Sequence, residues 1–177
     1  SATSRYLTGF WPFFDFAAIL VPAEGDIALV TGGPESLEFA KSFSFTKNIY
    51  INPLLVETSA PDWVIRVEGE SFSNIIPKVC SKTPKKVGLG NFNIFPHVLF
   101  DDLKEALPKC EFVSSDDLLL SVQSVKSDAE IPYIIKAYDI AQKSLKSALE
   151  AAEEGMEEWE IEAAARSKMV LLGAEGM

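Results

Sequence analysis

The sequence predicts an α/β fold, a mixed β-sheet flanked by helices, followed by two helices of a further unit that is not complete within these residues. Three observations carry this. Short apolar runs of four to six residues alternate with segments of helical period through the first two thirds of the chain, the signature of strands with helices packed on them. The first two runs are separated only by Pro22-Ala23-Glu24-Gly25, a hairpin break, so the sheet is not purely parallel. From Ser127 onward the strand signals stop and the charge changes: Ser127–Met177 carries 11 acidic and 5 basic residues (−6), whereas residues 1–126 carry 15 and 11 (−4).

Taken in order, Phe16–Val21 and Asp26–Thr31 are the two hairpin strands, both continuous enough in apolar residues to be buried on two faces. Gly32-Gly33-Pro34 ends the second, and Pro34 suits the first position of a helix over Pro34–Ser42, because its missing N–H is not needed there. Asn48–Ile51 is a strand. Glu70–Cys80 reads as a helix with Pro77 as a possible stop or kink, Lys86–Leu89 as a strand, Pro96–Leu107 as a helix and Glu111–Val113 as a strand. Ser121–Lys126 is expected to be a connector, separating a domain of residues 1–120 from residues 127–177.

The following helix is the most strongly marked. Ser127-Asp128-Ala129-Glu130 is a capping box, in which the serine hydroxyl accepts the Glu130 N–H and the glutamate reaches back to the Ser127 N–H. Ile131, Ile134, Ile135, Tyr138, Leu145, Ala148, Leu149 and Ala152 then recur at the spacing of one buried face. Pro132, at the fifth position counted from the cap, is expected to distort the first turn. Gly155 ends this helix, and Glu157–Leu172 is a second one, stopped by Gly173.

Composition excludes several functions. A net charge of −10 opposes binding to nucleic acid, whose phosphates require a basic stripe, and Lys85-Lys86 is the only basic doublet. No run approaches the roughly 20 apolar residues of a membrane span, and the first residues lack the pattern of a secretory signal. Two cysteines thirty residues apart and one histidine form neither a zinc pattern nor a disulfide framework. A soluble protein of the reducing cytoplasm is the expectation.

Most candidate sites read as structure. His97 with Asp101 and Asp102 has ligand-like spacing but reads as a helix start at the surface. Asp116-Asp117 reads as a turn or cap, and the run Glu153, Glu154, Glu157, Glu158, Glu160 and Glu162 as a solvated face. Gly88-Leu89-Gly90 lacks the rest of a phosphate-binding pattern and reads as a turn. Cys80 and Cys110 read as small core residues. The aromatic segment Phe10-Trp11-Pro12-Phe13-Phe14-Asp15 is open to two readings, core or ligand wall.

Three segments nevertheless resemble a known family, the creatinase/Xaa-Pro peptidases, which include prolidase and aminopeptidase P. They are Arg5-Tyr6-Leu7-Thr8-Gly9-Phe10, Val125-Lys126-Ser127-Asp128-Ala129-Glu130-Ile131, and the stretch from Gly155-Met156 through Trp159-Glu160-Ile161 to Gly173-Ala174-Glu175-Gly176. The resemblance implies a creatinase/prolidase-type N-terminal domain followed by the first two helices of the catalytic "pita-bread" α+β domain. It implies a homodimer, with Trp11, Phe13, Phe14 and Asp15 close to substrate in the neighbouring subunit's site. It implies two divalent metal ions (Mn, Co or Zn) and hydrolysis of the peptide bond preceding proline. The family's metal ligands, two Asp, one His and two Glu, follow the Gly-Ala-Glu-Gly segment, so no catalytic residue and no metal ligand carries over to this sequence. Members also usually carry a further helix and strand before the Tyr-Leu-Thr-Gly-Phe segment. A creatinase-like amidinohydrolase and a non-catalytic binding module, as in the peptidase-like domain of a histone chaperone, are the alternatives.

Overall fold

A computed structural model describes residues 2–12, 15–56 and 68–175. The chain forms two compact units, Ser1–Ser121 and Val122–Met177.

In the first unit, helix α1 (Ala2–Thr8) leads to strands β1 (Ala17–Leu20) and β2 (Ala28–Thr31), helix α2 (Pro34–Phe43) and strand β3 (Asn48–Ile51). A short 3₁₀ turn (Pro53–Leu55) follows, and later helix α3 (Phe72–Val79), strand β4 (Lys86–Leu89), helix α4 (His97–Ala106), strand β5 (Glu111–Ser114) and helix α5 (Asp116–Ser124), whose last three residues fall in the second unit. β1 and β2 are the expected antiparallel hairpin, with Ala17 opposite Thr31 and Leu20 opposite Ala28. β2 and β3 are parallel, as are β4 and β5, because in each case a helix occupies the crossover that parallel pairing requires. The sheet is thus mixed, in the order β1-β2-β3, with β4-β5 as a separate parallel pair among the described residues.

Alternation along β2 explains its unbroken apolar run. Leu29 faces one cluster with Phe10 and Ala40 of α2, whereas Val30 faces the larger one with Leu55, Phe72, Ile75, Leu89, Leu99 and Leu103. All four residues of β2 are buried; those of β1 are only half-buried, because β1 lies at the sheet edge. Burial on both faces therefore holds for the inner strand and not for the outer one.

One local expectation is corrected, and the alternative left open at Pro77 is decided. Ser121–Ser124, read as a connector, continues α5, whose start at Asp116 also makes Leu118-Leu119-Leu120 helical. The close approach of α5 follows from Gly88 and Gly90: an added Cβ would come within 2.9 Å of Ser115 Cβ and 2.7 Å of Leu119 Cδ1 respectively. Pro77 lies within the last turn of α3 and the helix ends two residues later, so the proline acts as a stop.

In the second unit, helices α6 (Ile131–Ala151) and α7 (Glu158–Leu171) pack on each other across a turn with Gly155 at φ +91°. Residues 128–130 form a turn rather than helix, which places Pro132 in the first helical turn, where it displaces no hydrogen bond. Half of the expected capping box is present. The Ser127 N–H donates to Glu130 Oε2 at 2.8 Å, but the serine hydroxyl donates to the same carboxylate at 2.6 Å instead of accepting from the Glu130 N–H, which reaches the Ser127 carbonyl. These bonds hold the Glu130 carboxyl below the ordinary glutamate range. A depressed value means the stabilisation is complete above the unfolded value near ~4.3 and is lost as pH falls through the folded one. In an NMR titration the Glu130 carboxyl should therefore titrate below the ordinary glutamate range, with the Ser127 amide shifting in step; an ordinary titration would refute the assignment. The second helix carries an unanticipated capping box of its own, between Glu157 and Glu160.

The buried face of α6 also differs from expectation. Ser144 and Ala148 are buried, with Ile134, Ile140 and Ala151 half-buried, while Ile135, Tyr138, Leu145 and Leu149 are exposed.

Candidate functional site at the entry to the hairpin

The segment Tyr6–Phe10 folds into a tight fastening between α1 and the sheet. Gly9, at φ +76°, ends α1, its N–H donating to the Arg5 carbonyl at 2.8 Å. A side chain there would be strained, and an added Cβ would lie 3.0 Å from both the Phe43 carbonyl and the Phe45 ring. Thr8, buried, donates its hydroxyl to the Ser4 carbonyl at 2.8 Å and accepts the Phe10 N–H at 3.2 Å. The Ser4 hydroxyl closes the loop on the Phe10 carbonyl at 2.9 Å, and Phe10 enters the smaller core cluster. Each residue of Thr8-Gly9-Phe10 thus has a structural task.

Immediately beyond, the four candidate substrate-proximal residues separate. Phe13 and Phe14 lie outside the described residues. Trp11 is 56% exposed, and the Arg5 guanidinium sits 5.9 Å from its ring centre, an apolar face with a cation beside it. Asp15 is tied into the fold: its Oδ2 accepts the Ser36 hydroxyl at 2.7 Å in the first turn of α2, whose N-cap, Gly33, has no side chain to offer. A carboxylate at this position complements the positive end of the helix. An added Cβ at Gly33 would come within 3.2 Å of the same oxygen, so Gly33 leaves room for Asp15.

The remaining polar candidates are structural. His97 Nδ1 is 3.0 Å from Asp101, and Lys104 is 2.8 Å from it, on the exposed side of α4. The hydrogen bond from Lys104 holds the Asp101 carboxyl below its ordinary range, with His97 adding to the effect. Asp102 points the other way, into the fold, where its Oδ2 accepts from Asn52 Nδ2 at 3.0 Å and from the Phe72 N–H at 3.1 Å. Asp116 accepts the N–H groups of Asn91 and Phe92 at 2.5 and 3.1 Å, fixing the loop in which Asn91 adopts φ +57°. Burial raises the thiols of Cys80 and Cys110, with Glu111 adding to the rise at Cys110, and both pack at the edge of the main core. No signal in the sequence points to the Asp102 and Asp116 contacts, because their partners lie 24 to 50 residues away. Among the described residues no three His, Cys, Asp or Glu side chains converge as a metal site.

A family model of the creatinase/prolidase N-terminal domain matches residues 1–125. The chain belongs to the creatinase/prolidase family. Within it, an Xaa-Pro dipeptidase of Pyrococcus horikoshii is 34% identical over 87 residues, 49% of this chain and 25% of that protein. The crystal structure of the prolidase from Pyrococcus horikoshii OT3 superimposes with a TM-score of 0.69 at 23% identity, covering 98% of this chain and 43% of that one. The X-Pro aminopeptidase of Thermotoga maritima MSB8 gives 0.67 at 24% identity, over 99% of this chain and 44% of the other. The chain thus spans a quarter of the curated relative and less than half of these solved structures. The mixed sheet with its flanking helices is the fold of the prolidase N-terminal region. The family assignment rests on the domain in which the Thr8-Gly9-Phe10 fastening sits, and that fastening serves the fold. No described helix is long and apolar enough to cross a membrane.

Proposed function

We propose that this chain is the N-terminal portion of a metal-dependent Xaa-Pro peptidase, which hydrolyses the peptide bond preceding proline. The observation that carries the reading is the match of residues 1–125 to the creatinase/prolidase N-terminal domain, supported by the identity to an Xaa-Pro dipeptidase. A metal-activated water requires several carboxylates and an imidazole converging on the ions. The residues described here do not fit that requirement: His97 is exposed and bonded to Asp101, while Asp102 and Asp116 are committed to backbone and amide donors. The two divalent ions, Mn, Co or Zn, and the catalytic step therefore belong to residues outside the described set. In this reading the protein is cytoplasmic, and the exposed face of Trp11 contributes to substrate selection rather than to bond cleavage.

The test compares the 177-residue chain with a longer gene product containing it, each supplied with Mn, Co or Zn and an Xaa-Pro dipeptide. Proline release by the longer product alone is expected, abolished by chelation and reduced in kcat/KM by Trp11→Ala. Turnover by the 177-residue chain would overturn the proposal. So would a longer product that hydrolyses creatine and not the dipeptide, or neither.

A further inference from the structure

The acidic chain contains one basic interval. Residues 71–100 carry Lys78, Lys82, Lys85 and Lys86 and no Asp or Glu, a net +4 within a total of −10. The fold adds Lys109 to them. The Glu111 N–H donates to the Lys85 carbonyl at 2.9 Å and Lys86 stands opposite Glu111, so Lys85 and Lys109 emerge at the same end of the β4–β5 pair. Two of these lysines are already neutralised, Lys78 by Glu70 and Lys86 by Glu111. Lys82, Lys85 and Lys109 are exposed and have no carboxylate partner among the described residues. Glu105 is the only acidic residue in the adjoining last turn of α4.

An apolar pit opens beside these lysines. Phe72, Ile76 and Leu107, all buried, form the apolar part of a cavity of about 220 Å³ at the C-terminal ends of α3 and α4. Ser73, Lys82 and Thr83, all exposed, line its solvent side. The volume is below the roughly 300–1,000 Å³ of sites that enclose a whole small molecule, and it suits one large apolar side chain. The two helices that end here leave their last carbonyls without partners inside the helix, as acceptors for N–H donors. Charge, pit and acceptors together select among anionic partners. A nucleic-acid backbone offers no N–H donor, and the −10 of the whole chain repels its line of phosphates. Three free lysines fall short of the clusters of about 4–8 that hold a protein on an anionic membrane. An acidic peptide supplies everything the corner accepts: carboxylates, an apolar side chain and amide N–H groups.

We infer that this corner of the first unit is a docking site for an acidic peptide segment of a partner protein. One apolar side chain of the segment enters the cavity between α3 and α4, and its flanking carboxylates meet Lys82, Lys85 and Lys109. The probe is the fluorescein-labelled peptide Glu-Asp-Glu-Phe-Glu-Asp-Glu, titrated with the full chain at low salt and followed by anisotropy. Saturable binding is expected, weakened roughly 10-fold or more when glycine replaces the phenylalanine of the peptide. Lys82→Glu with Lys85→Glu should weaken it about as much, with unchanged circular dichroism. The same double variant should bind a peptide carrying lysine at every acidic position better than the wild-type chain does, a gain that a disturbed fold would not produce. Ser73→Trp, at an exposed position on the rim, should block the cavity and reduce binding to that of the glycine peptide. Failure to saturate at millimolar peptide overturns the proposal. So does equal binding of the glycine peptide, which leaves a charged surface without an anchor, or indifference to the lysine changes. Tighter binding of an oligothymidylate or of phosphatidylserine vesicles than of the peptide overturns it in favour of those partners.

Discussion

Replacing Gly32 by alanine should lower the stability of the first unit by about 3 kcal/mol, the upper end of the usual cost of overpacking. Gly32 follows β2 directly, and an ideal Cβ there would lie 2.6 Å from the carbonyl carbon and oxygen of Leu55 and from the Val56 nitrogen. These are backbone atoms, so no side chain can rotate away. Leu55 is buried, and its carbonyl accepts the Phe16 N–H at 2.9 Å, while the Asn52 N–H donates to the Thr31 carbonyl at 2.9 Å. Making room for one methyl group therefore requires the 3₁₀ turn to lift from the end of the sheet, straining both hydrogen bonds. Urea unfolding should show a lower midpoint with an unchanged slope. A loss under about 0.5 kcal/mol, the range of ordinary surface changes, would show that the turn does not pack as described.

Asp102→Ala should cost a similar amount, about 3 kcal/mol, for a different reason. The carboxylate is the meeting point of three elements: it sits on α4, accepts from Asn52 after β3, and accepts from the Phe72 N–H at the start of α3. Asn52 is 1% exposed, and its other amide atom accepts the Leu54 N–H at 3.0 Å, so its side chain cannot turn to water without uncapping the 3₁₀ turn. Alanine leaves two donors unpaired, each worth about 1–3 kcal/mol when buried, with partial relief by solvent at the helix end. Asp102→Asn keeps one acceptor oxygen and should lose about 1 kcal/mol. Hydrogen exchange at Phe72 provides the local readout, since its protection should fall in the alanine variant by more than the global change. Equal stability of the two variants would mean that Asp102 acts through packing alone.

These two residues show where reading from sequence stops. Gly32 was legible as the end of a strand, because Gly-Gly-Pro after an apolar run breaks any regular element; that it must be glycine depends on a turn more than twenty residues further on. Asp102 was legible as part of a polar helix face beside His97. The structure turns His97 and Asp101 outward and Asp102 inward, a distinction that one helical position makes and only the neighbouring elements reveal. The large residues of α6 read as its buried face, yet Ser144 and Ala148 are the buried ones, while Ile135, Tyr138, Leu145 and Leu149 are exposed.

Of the aromatic segment, the sequence supplied the cluster but not the division of labour. Phe10 is core, Trp11 is exposed beside Arg5, and Asp15 serves the start of α2.

By itself, then, the sequence determined the order and type of the strands and most helices, the hairpin that makes the sheet mixed, and the family, since period, turn residues and motif order are local properties written along the chain. Tertiary structure decided which side chains are buried, which carboxylates are spent on amide donors, and which glycines no other residue can replace. Those outcomes depend on distances between segments far apart in the chain, and only their packing creates them.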